Sequence, residues 1–251
     1  SFSKNGDLLQ MFIIRIRPFG TILRSITRGS ISTQNFPQSE MSALKEAPEG
    51  YRILTEGSAS ILYEHDPTQG DKGEPVFYNK VQVLNRDLSI RMITLFARVR
   101  AMEIEQTGSL GGKKGNRKAR GAKAASTEPK SDNATTVDVA VVPGAEMDDK
   151  LRADAAKNGI RIMDALAATG LRSIRYFNEI LGVKQVLVND IEEAAVEAAK
   201  KNVAHNGLSL AQVTPSRGDA NVAMLRAMET GRPDVIDLDP YGSAAPFIDA
   251  A

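Results

Sequence analysis

No cysteine occurs among the 251 residues, which excludes disulfides and thiolate metal sites and fits a reducing compartment. Histidine is nearly absent too: only His65 and His205 are present, too few for a histidine-rich metal centre. No run of about 18 apolar residues exists, so the sequence offers no transmembrane helix. Net charge is +1, so no global field marks a nucleic-acid partner and any basic surface must be local. One stretch lacks acid altogether. Between Asp7 and Glu40 no Asp or Glu appears, while Arg15, Arg17, Arg24 and Arg28 lie among apolar residues and serines in "MFIIRIRPFGTILRSITRGSISTQNFPQS". That is the composition of a mitochondrial transit peptide, with a disordered basic tail as the alternative. Met11 and Met41 are both candidate starts. A product begun at Met41 would lack the signal, so two destinations are expected, mitochondrion and nucleus.

What is present divides into four stretches. Residues 1–48 form the tail. Residues 49–106 are expected to be structured. There "YRILTEGSASILYEH" reads as short strands around a turn at Gly57. "DLSIRMITLFARVRAMEIE" reads as a helix with an acidic start at Asp87. Ile90, Ile93, Leu95, Ala97 and Met102 supply its apolar face, and Arg91, Arg98 and Arg100 lie off it. Residues 107–136 hold almost no large apolar side chain and are expected to be a disordered insertion. Its Lys113, Lys114, Arg117, Lys118, Arg120 and Lys123 suit a nuclear-localisation signal or an RNA-touching loop, or simply a solvated surface.

Residues 137–251 alternate strand and helix. "GIRIMDAL", "VKQVLVND", a segment of "AQVTPSRGDA" and "DVIDLDP" read as four strands. "LRSIRYFNEIL", "IEEAAVEAAKKNVAHNG" and "NVAMLRAME" read as the helices between them, the second stopped by Gly207. Such alternation predicts a parallel α/β sheet that binds ligands at the carboxyl ends of its strands.

Each strand delivers polar residues there. The first ends at Asp164, followed by the small-residue turn "ALAATG", which closes on Gly170 at a helix start. A turn of that kind lets a ligand approach free backbone N–H groups. The second strand ends at Asp190, 26 positions on, where an acid typically accepts hydrogen bonds from ribose hydroxyls. Helix capping is the alternative use of both acids. Asp219 and Ala220 follow the third strand, and Asp239 ends the fourth. The dinucleotide pattern G-x-G-x-x-G is absent, which disfavours a pyrophosphate ligand and favours a phosphate-free nucleoside cofactor such as S-adenosylmethionine.

Asp239-Pro240-Tyr241 narrows the chemistry. The lone pair of an exocyclic base amine is delocalised into the ring, so methylating it requires the amine to be held in line and its N–H to be accepted. A carboxylate can do this and then take a proton. Pro240 stiffens the turn and leaves nearby carbonyls free as acceptors, and Tyr241 can stack on a base. The alternative is a strand-ending turn that caps the next helix.

Five separated segments are similar to one family, the tRNA (guanine-N2)-dimethyltransferases that modify guanine 26. "EGSASILYE" (Glu56–Glu64) resembles its opening strand segment. "VFYNKVQVLNRDLSI" (Val76–Ile90) resembles its "VFYNPVQ…NRDLS" signature, with Lys80 where proline is common. "DALAATGLRSIRY" resembles its methyltransferase motif I, "VNDIEEAAVEAAKKNVAHNG" its second-strand region and "IDLDPYGSAAPFIDAA" its motif IV. The resemblance runs from about Tyr51 to Ala251 around the basic insertion. It implies a Rossmann-like class I methyltransferase fold, a doubly wound α/β sheet with a small N-terminal α+β segment, using S-adenosylmethionine on tRNA. By position, Arg86, Arg172, Asp190, Asp219 and Ala220 would contact the cofactor, beside Asp164 and Gly170 of the first turn. Asp190 would take the ribose, Asp219 the adenine amine and the arginines the methionine carboxylate. Asp239 would position and deprotonate the guanine amine, with Tyr241 near the base. Phe77, Tyr78 and Pro240 would line the base pocket, although aromatics at such positions also serve as core packing.

A class I methyltransferase sheet has seven strands, and about four are legible in residues 137–251. A truncated chain is therefore expected, one that exposes an apolar edge and face and is inactive alone. No membrane and no obligatory protein partner are implied. Three other readings remain: an adenine-N6 methyltransferase, a nucleotide-binding oxidoreductase with a degenerate glycine turn, and a non-catalytic RNA-binding module resting on the 107–136 insertion.

Overall fold

The computed structural model describes residues 13–16, 47–64, 78–107 and 144–251. The basic insertion, Phe77, Met11, Met41 and most of the stretch read as a transit peptide lie outside the described residues.

Four strands build the centre: β4 (Ile160–Asp164), β5 (Val183–Asp190), β6 (Val213–Arg217) and β7 (Val235–Leu238). All four pair in parallel. β4 and β7 are apolar with buried side chains on both faces, as strands covered by helices on each side must be. The helices α3 (Leu171–Glu179), α4 (Glu193–His205) and α5 (Ala220–Gly231) connect them in sequence. The chain steps outward from β4 to β5 to β6, then returns to lay β7 on the other side of β4. This reversal makes the sheet doubly wound, with its switch point between β4 and β7, where Asp164 registers with Asp237.

Two apolar layers follow from that topology. α5 covers one face, packing Met224 and Ala227 with Met163, Ile236 and Leu238. The other face holds Ile162, Val186 and Val213 under Ile174, Tyr176 and Val203 of α3 and α4. The same core takes in α1 (Val83–Thr107), α2 (Gly144–Asn158) and the hairpin of β2 (Tyr51–Glu56) and β3 (Ala59–Glu64). Asparagines dock the hairpin. The Asn202 side chain accepts from Leu62 N at 2.8 Å and donates to Thr169 O at 2.9 Å. Asn206 accepts from Ser60 N and donates to Ser60 O, so α4 supplies the edge partners that β3 would otherwise lack.

Four expectations are corrected. A strand, β1 (Ile13–Ile16), lies within the stretch read as a disordered tail. It pairs antiparallel with β7, so the expected open edge of β7 is occupied. The Arg- and Ser-rich composition signalled a tail, but "IIRI" is a short β-branched run and β7 offers it unpaired backbone groups. α1 starts at Val83 rather than Asp87, and Asp87 pairs with Arg175 at 2.7 Å instead of starting the helix. On that helix Leu95 is 46% exposed while Arg100 is 6% exposed, with its guanidinium 2.7 Å from Asp234. A long arginine stem can bury wherever its head finds a carboxylate, which periodicity cannot foresee. α2 was not anticipated, because Met147 and Leu151, one turn apart, are its only buried apolar side chains. Among the described residues, exposed apolar side chains include Leu84, Leu88, Met92 and Leu95 of α1, and Val222, Leu225 and Met228 of α5.

Candidate active site

The loops after β4, β5 and β6 are braced against one another by β5. Asn189 donates from Nδ2 to Ala165 O at 3.1 Å and to Gly218 O at 3.0 Å. Its carbonyl accepts Ala167 N at 2.9 Å. Asp190 then straps two loops: Oδ2 accepts Ala168 N at 2.8 Å and Oδ1 accepts Glu192 N at 3.0 Å. The small-residue turn uses left-handed backbone at Ala168 (φ 47°) and Gly170 (φ 76°). A side chain at Gly170 would bring its Cβ to 3.2 Å from Ala199 Cβ, so glycine serves both the turn and the close approach of α4. Asp219 caps α5, its Oδ1 accepting Val222 N at 3.1 Å, and Ala220 is the buried first residue of that helix.

Asp164 faces inward. It is buried and accepts from Ser173 Oγ at 2.6 Å, which ties the end of β4 to the first turn of α3. Burial and the neighbouring Asp237 carboxylate push its pKa up to about 7. A carboxyl raised in the fold stabilises it most when protonated. The contribution is complete below the ordinary value of 3.8 and is lost as pH rises to about 7. Compared with Asp164→Asn by urea unfolding, the wild type is therefore expected to lose a few kcal/mol of relative stability between pH 4 and pH 7, and none above, at ~1.4 kcal/mol per unit. A difference independent of pH would contradict this assignment.

Around Asp239, just past the end of β7, the structure assembles a cluster from α1, α3 and β7. Arg172 donates from Nη2 to Asp239 Oδ2, lies 3.4 Å from Asp237 Oδ2 through Nε, and donates from Nη1 to Ser89 Oγ at 3.0 Å. Tyr176 is fully buried and donates its hydroxyl to Asp237 Oδ2 at 2.6 Å. Burial and the Asp237 charge raise the Tyr176 pKa well above its ordinary value, so it keeps its proton as a donor. Burial also raises Asp237, against the pull of Arg172. The Asp239 side chain is 20% exposed, and its buried Oδ1 has no hydrogen-bond partner among the described residues.

The sequence-derived residues thus separate. Asp239, Arg172 and Asp164 gather at the switch point, and Asp190, Gly170, Asp219 and Ala220 line the neighbouring strand ends. Arg86 is committed elsewhere: it pairs with Glu56, donates to Asn79 O at 3.1 Å and stacks 5.3 Å above the Tyr78 ring. Tyr78 is therefore half-buried beneath a guanidinium. Tyr241, expected beside the base, is 83% exposed at the bend that follows buried Pro240, where Gly242 takes a positive φ of 106°. Asp237 and Tyr176 were not singled out from the sequence. Their signal was there: Asp237 is two residues before Asp239, and Tyr176 is four from Arg172 on one helix face.

Among the described residues no group of acids or histidines could hold a metal ion, and no helix is long and apolar enough to cross a membrane. A family profile described as N2,N2-dimethylguanosine tRNA methyltransferase matches residues 57–251. The tRNA (guanine(26)-N(2))-dimethyltransferase of Schizosaccharomyces pombe is 39% identical over 92% of this chain. The enzyme of that name labelled mitochondrial in Saccharomyces cerevisiae is 37% identical over 81%. The chain spans 38% and 33% of those two relatives. Trm1 from Pyrococcus horikoshii, solved with S-adenosyl-L-methionine, is 23% identical with a TM-score of 0.45, covering 79% of this chain and 38% of that one. With a family match over most of its length, this chain belongs to the N2,N2-dimethylguanosine tRNA methyltransferase family.

Proposed function

We propose that this chain carries the amine-gripping site of an S-adenosylmethionine-dependent methyltransferase that converts guanine 26 of tRNA to N2,N2-dimethylguanosine. One observation carries the reading: Asp239 is anchored through Oδ2 by Arg172, while its buried Oδ1 is left without a partner among the described residues, at the end of the switch-point strand. That free oxygen suits the N–H of a flat exocyclic amine. It accepts the hydrogen bond and then takes the proton that the amine loses.

The residues present fit the cofactor. Asp190 offers carboxylate lone pairs beyond its two backbone bonds, suited to ribose hydroxyls. Asp219 and the start of α5 suit an adenine edge, and the first turn of α3 after Gly170 presents free backbone N–H groups. When bound, S-adenosylmethionine supplies an electrophilic methyl on a sulfonium. Pro240 keeps the turn after Asp239 rigid, and Tyr241, exposed here, is free to close over a base as a stacking platform.

The mitochondrion is the proposed destination of a product begun at Met11, supported by the acid-free arginine-rich stretch and by the relative labelled mitochondrial. A product begun at Met41 is proposed to reach the nucleus. The function is tested by mass spectrometry of tRNA nucleosides after the gene is supplied to a strain lacking the modification. Restored dimethylguanosine at position 26 is the expected result. N6-methyladenine instead would move the reading to an adenine methyltransferase. Calorimetric binding of NAD in place of S-adenosylhomocysteine would move it to a redox enzyme.

A further inference from the structure

We propose that the cleft between α1 and α2, at the amino ends of β4 and β5, is a second binding site, shaped for a short aliphatic monocarboxylate. A cavity of about 280 Å³ lies there. Ala97, Ala101 and Ile104 of α1 and Met147 and Leu151 of α2 wall it. Ile160, the first residue of β4, and Gly182, just before β5, close its inner end. That volume is at the small end of ligand pockets and suits a guest of roughly ten non-hydrogen atoms. Asp164 and Asp190 stand at the other ends of the same strands. The length of β4 alone puts roughly 13 Å between them and the cavity. The site is therefore separate from methyl transfer and stands or falls without it.

One cation interrupts the apolar lining. Arg100 lines the cavity, yet its side chain is only 7% exposed. Its Nη1 lies 2.7 Å from Asp234 Oδ2, but neither Nη1 nor Nε meets a hydrogen-bond acceptor in good geometry among the described residues. Asp234 is divided, because the same Oδ2 accepts Arg161 N at 2.9 Å and is thereby tied to β4. Buried donors left in this state are costly, and native interiors normally satisfy them with a partner from outside the chain. A carboxylate entering the cavity supplies the missing acceptors once the guanidinium turns toward it, in a geometry that suits its two oxygens. The aliphatic body then covers Ala101, Ile104, Met147 and Leu151, removing apolar surface from water. The rim selects the charge. Lys150 is occupied by Glu105 at 2.7 Å, and Asp154 adds a further negative charge. A dianionic phosphate would be repelled there, whereas a monocarboxylate brings a single charge to Arg100.

The test is a calorimetric titration of the full-length protein with hexanoate, with hexanol as its uncharged counterpart. Hexanoate is expected to bind with a Kd of about 0.1–1 mM, as a ligand of that size can. Hexanol should bind about tenfold more weakly, the loss of one charge-assisted hydrogen bond. Excess S-adenosylhomocysteine should leave the hexanoate Kd within about twofold, because the two sites share no residue. Ala101→Phe fills the cavity without touching the Arg100–Asp234 pair, and should abolish hexanoate binding. Arg100→Lys keeps a positive charge beside Asp234 but loses the planar fork. It should weaken hexanoate about tenfold and leave hexanol unchanged, which serves if Ala101→Phe folds poorly. Absence of hexanoate binding up to about 10 mM would overturn the proposal and leave the cavity to water. Equal affinity for hexanoate and hexanol would overturn it, since Arg100 would then recognise nothing. Displacement by S-adenosylhomocysteine, or full binding by Ala101→Phe, would overturn it by placing the guest elsewhere.

Discussion

Replacing Asp239 by alanine is expected to reduce dimethylguanosine formation by about a hundred- to ten-thousand-fold, the range for losing a positioned general base. The loss has two sources. Oδ1, the acceptor for the amine N–H, disappears, and Arg172 Nη2 loses its partner. Asp239→Asn separates them, because the amide oxygen still accepts from Arg172 but no group can take the proton. Asparagine should therefore keep the fold of the cluster and still fail in methyl transfer. Asp237 continues to balance Arg172 in both variants, so stability should change far less than activity. Nucleoside mass spectrometry reads the activity and urea unfolding reads the stability. Full methylation by Asp239→Ala would end the assignment of Asp239 as the catalytic residue.

The second large effect falls on stability, at Glu56. Its carboxylate accepts from Arg86 Nε at 2.6 Å and from Arg175 Nη1 at 2.7 Å, and all three side chains are buried. Arg175 further holds Asp87 at 2.7 Å and Glu179 at 2.8 Å, so one network joins the β2–β3 hairpin, α1 and α3. Glu56→Gln leaves two buried guanidinium groups facing an uncharged amide. Breaking a buried ion network by removing one partner costs about 3–5 kcal/mol, and that is the expected loss in urea unfolding at neutral pH. The pH dependence has a definite sign. Burial works to raise the Glu56 pKa, but Arg86 and Arg175 outweigh it and hold it below its ordinary 4.5. The contribution is therefore complete above 4.5 and disappears as pH falls through the lower folded value. Wild-type and Glu56→Gln stabilities should converge in acid. A neutral-pH difference under about 1 kcal/mol would show that the network behaves as a surface ion pair.

The four parallel strands were legible because short segments bounded by turn residues alternate with helical patterns, a local signal; β6, "VTPSR", is the least apolar of them. β1 and α2 were not, for opposite reasons. β1 pairs because β7 has a free edge, a property of the assembled sheet. α2 buries only two apolar side chains, Met147 and Leu151, too sparse a stripe to show periodicity, and is tied to α1 by Arg98 and Asp148 at 2.8 Å. Among site residues, Asp239 was legible from its neighbours in sequence, Pro240 and Tyr241. The role of Arg172 was not, because a guanidinium near a cofactor turn can face either the ligand or the protein.

The order of elements, the acids at the strand ends and the Asp-Pro-Tyr turn followed from the sequence by itself, because periodicity, turn chemistry and motif spacing are properties of adjacent residues. Tertiary structure decided which charges share a partner. Arg172 meets Asp239 across 67 residues, Tyr176 meets Asp237 across 61, and Arg175 meets Glu56 across 119. Such pairings depend on helices packing onto the doubly wound sheet, where burial leaves each guanidinium only the carboxylates within its reach.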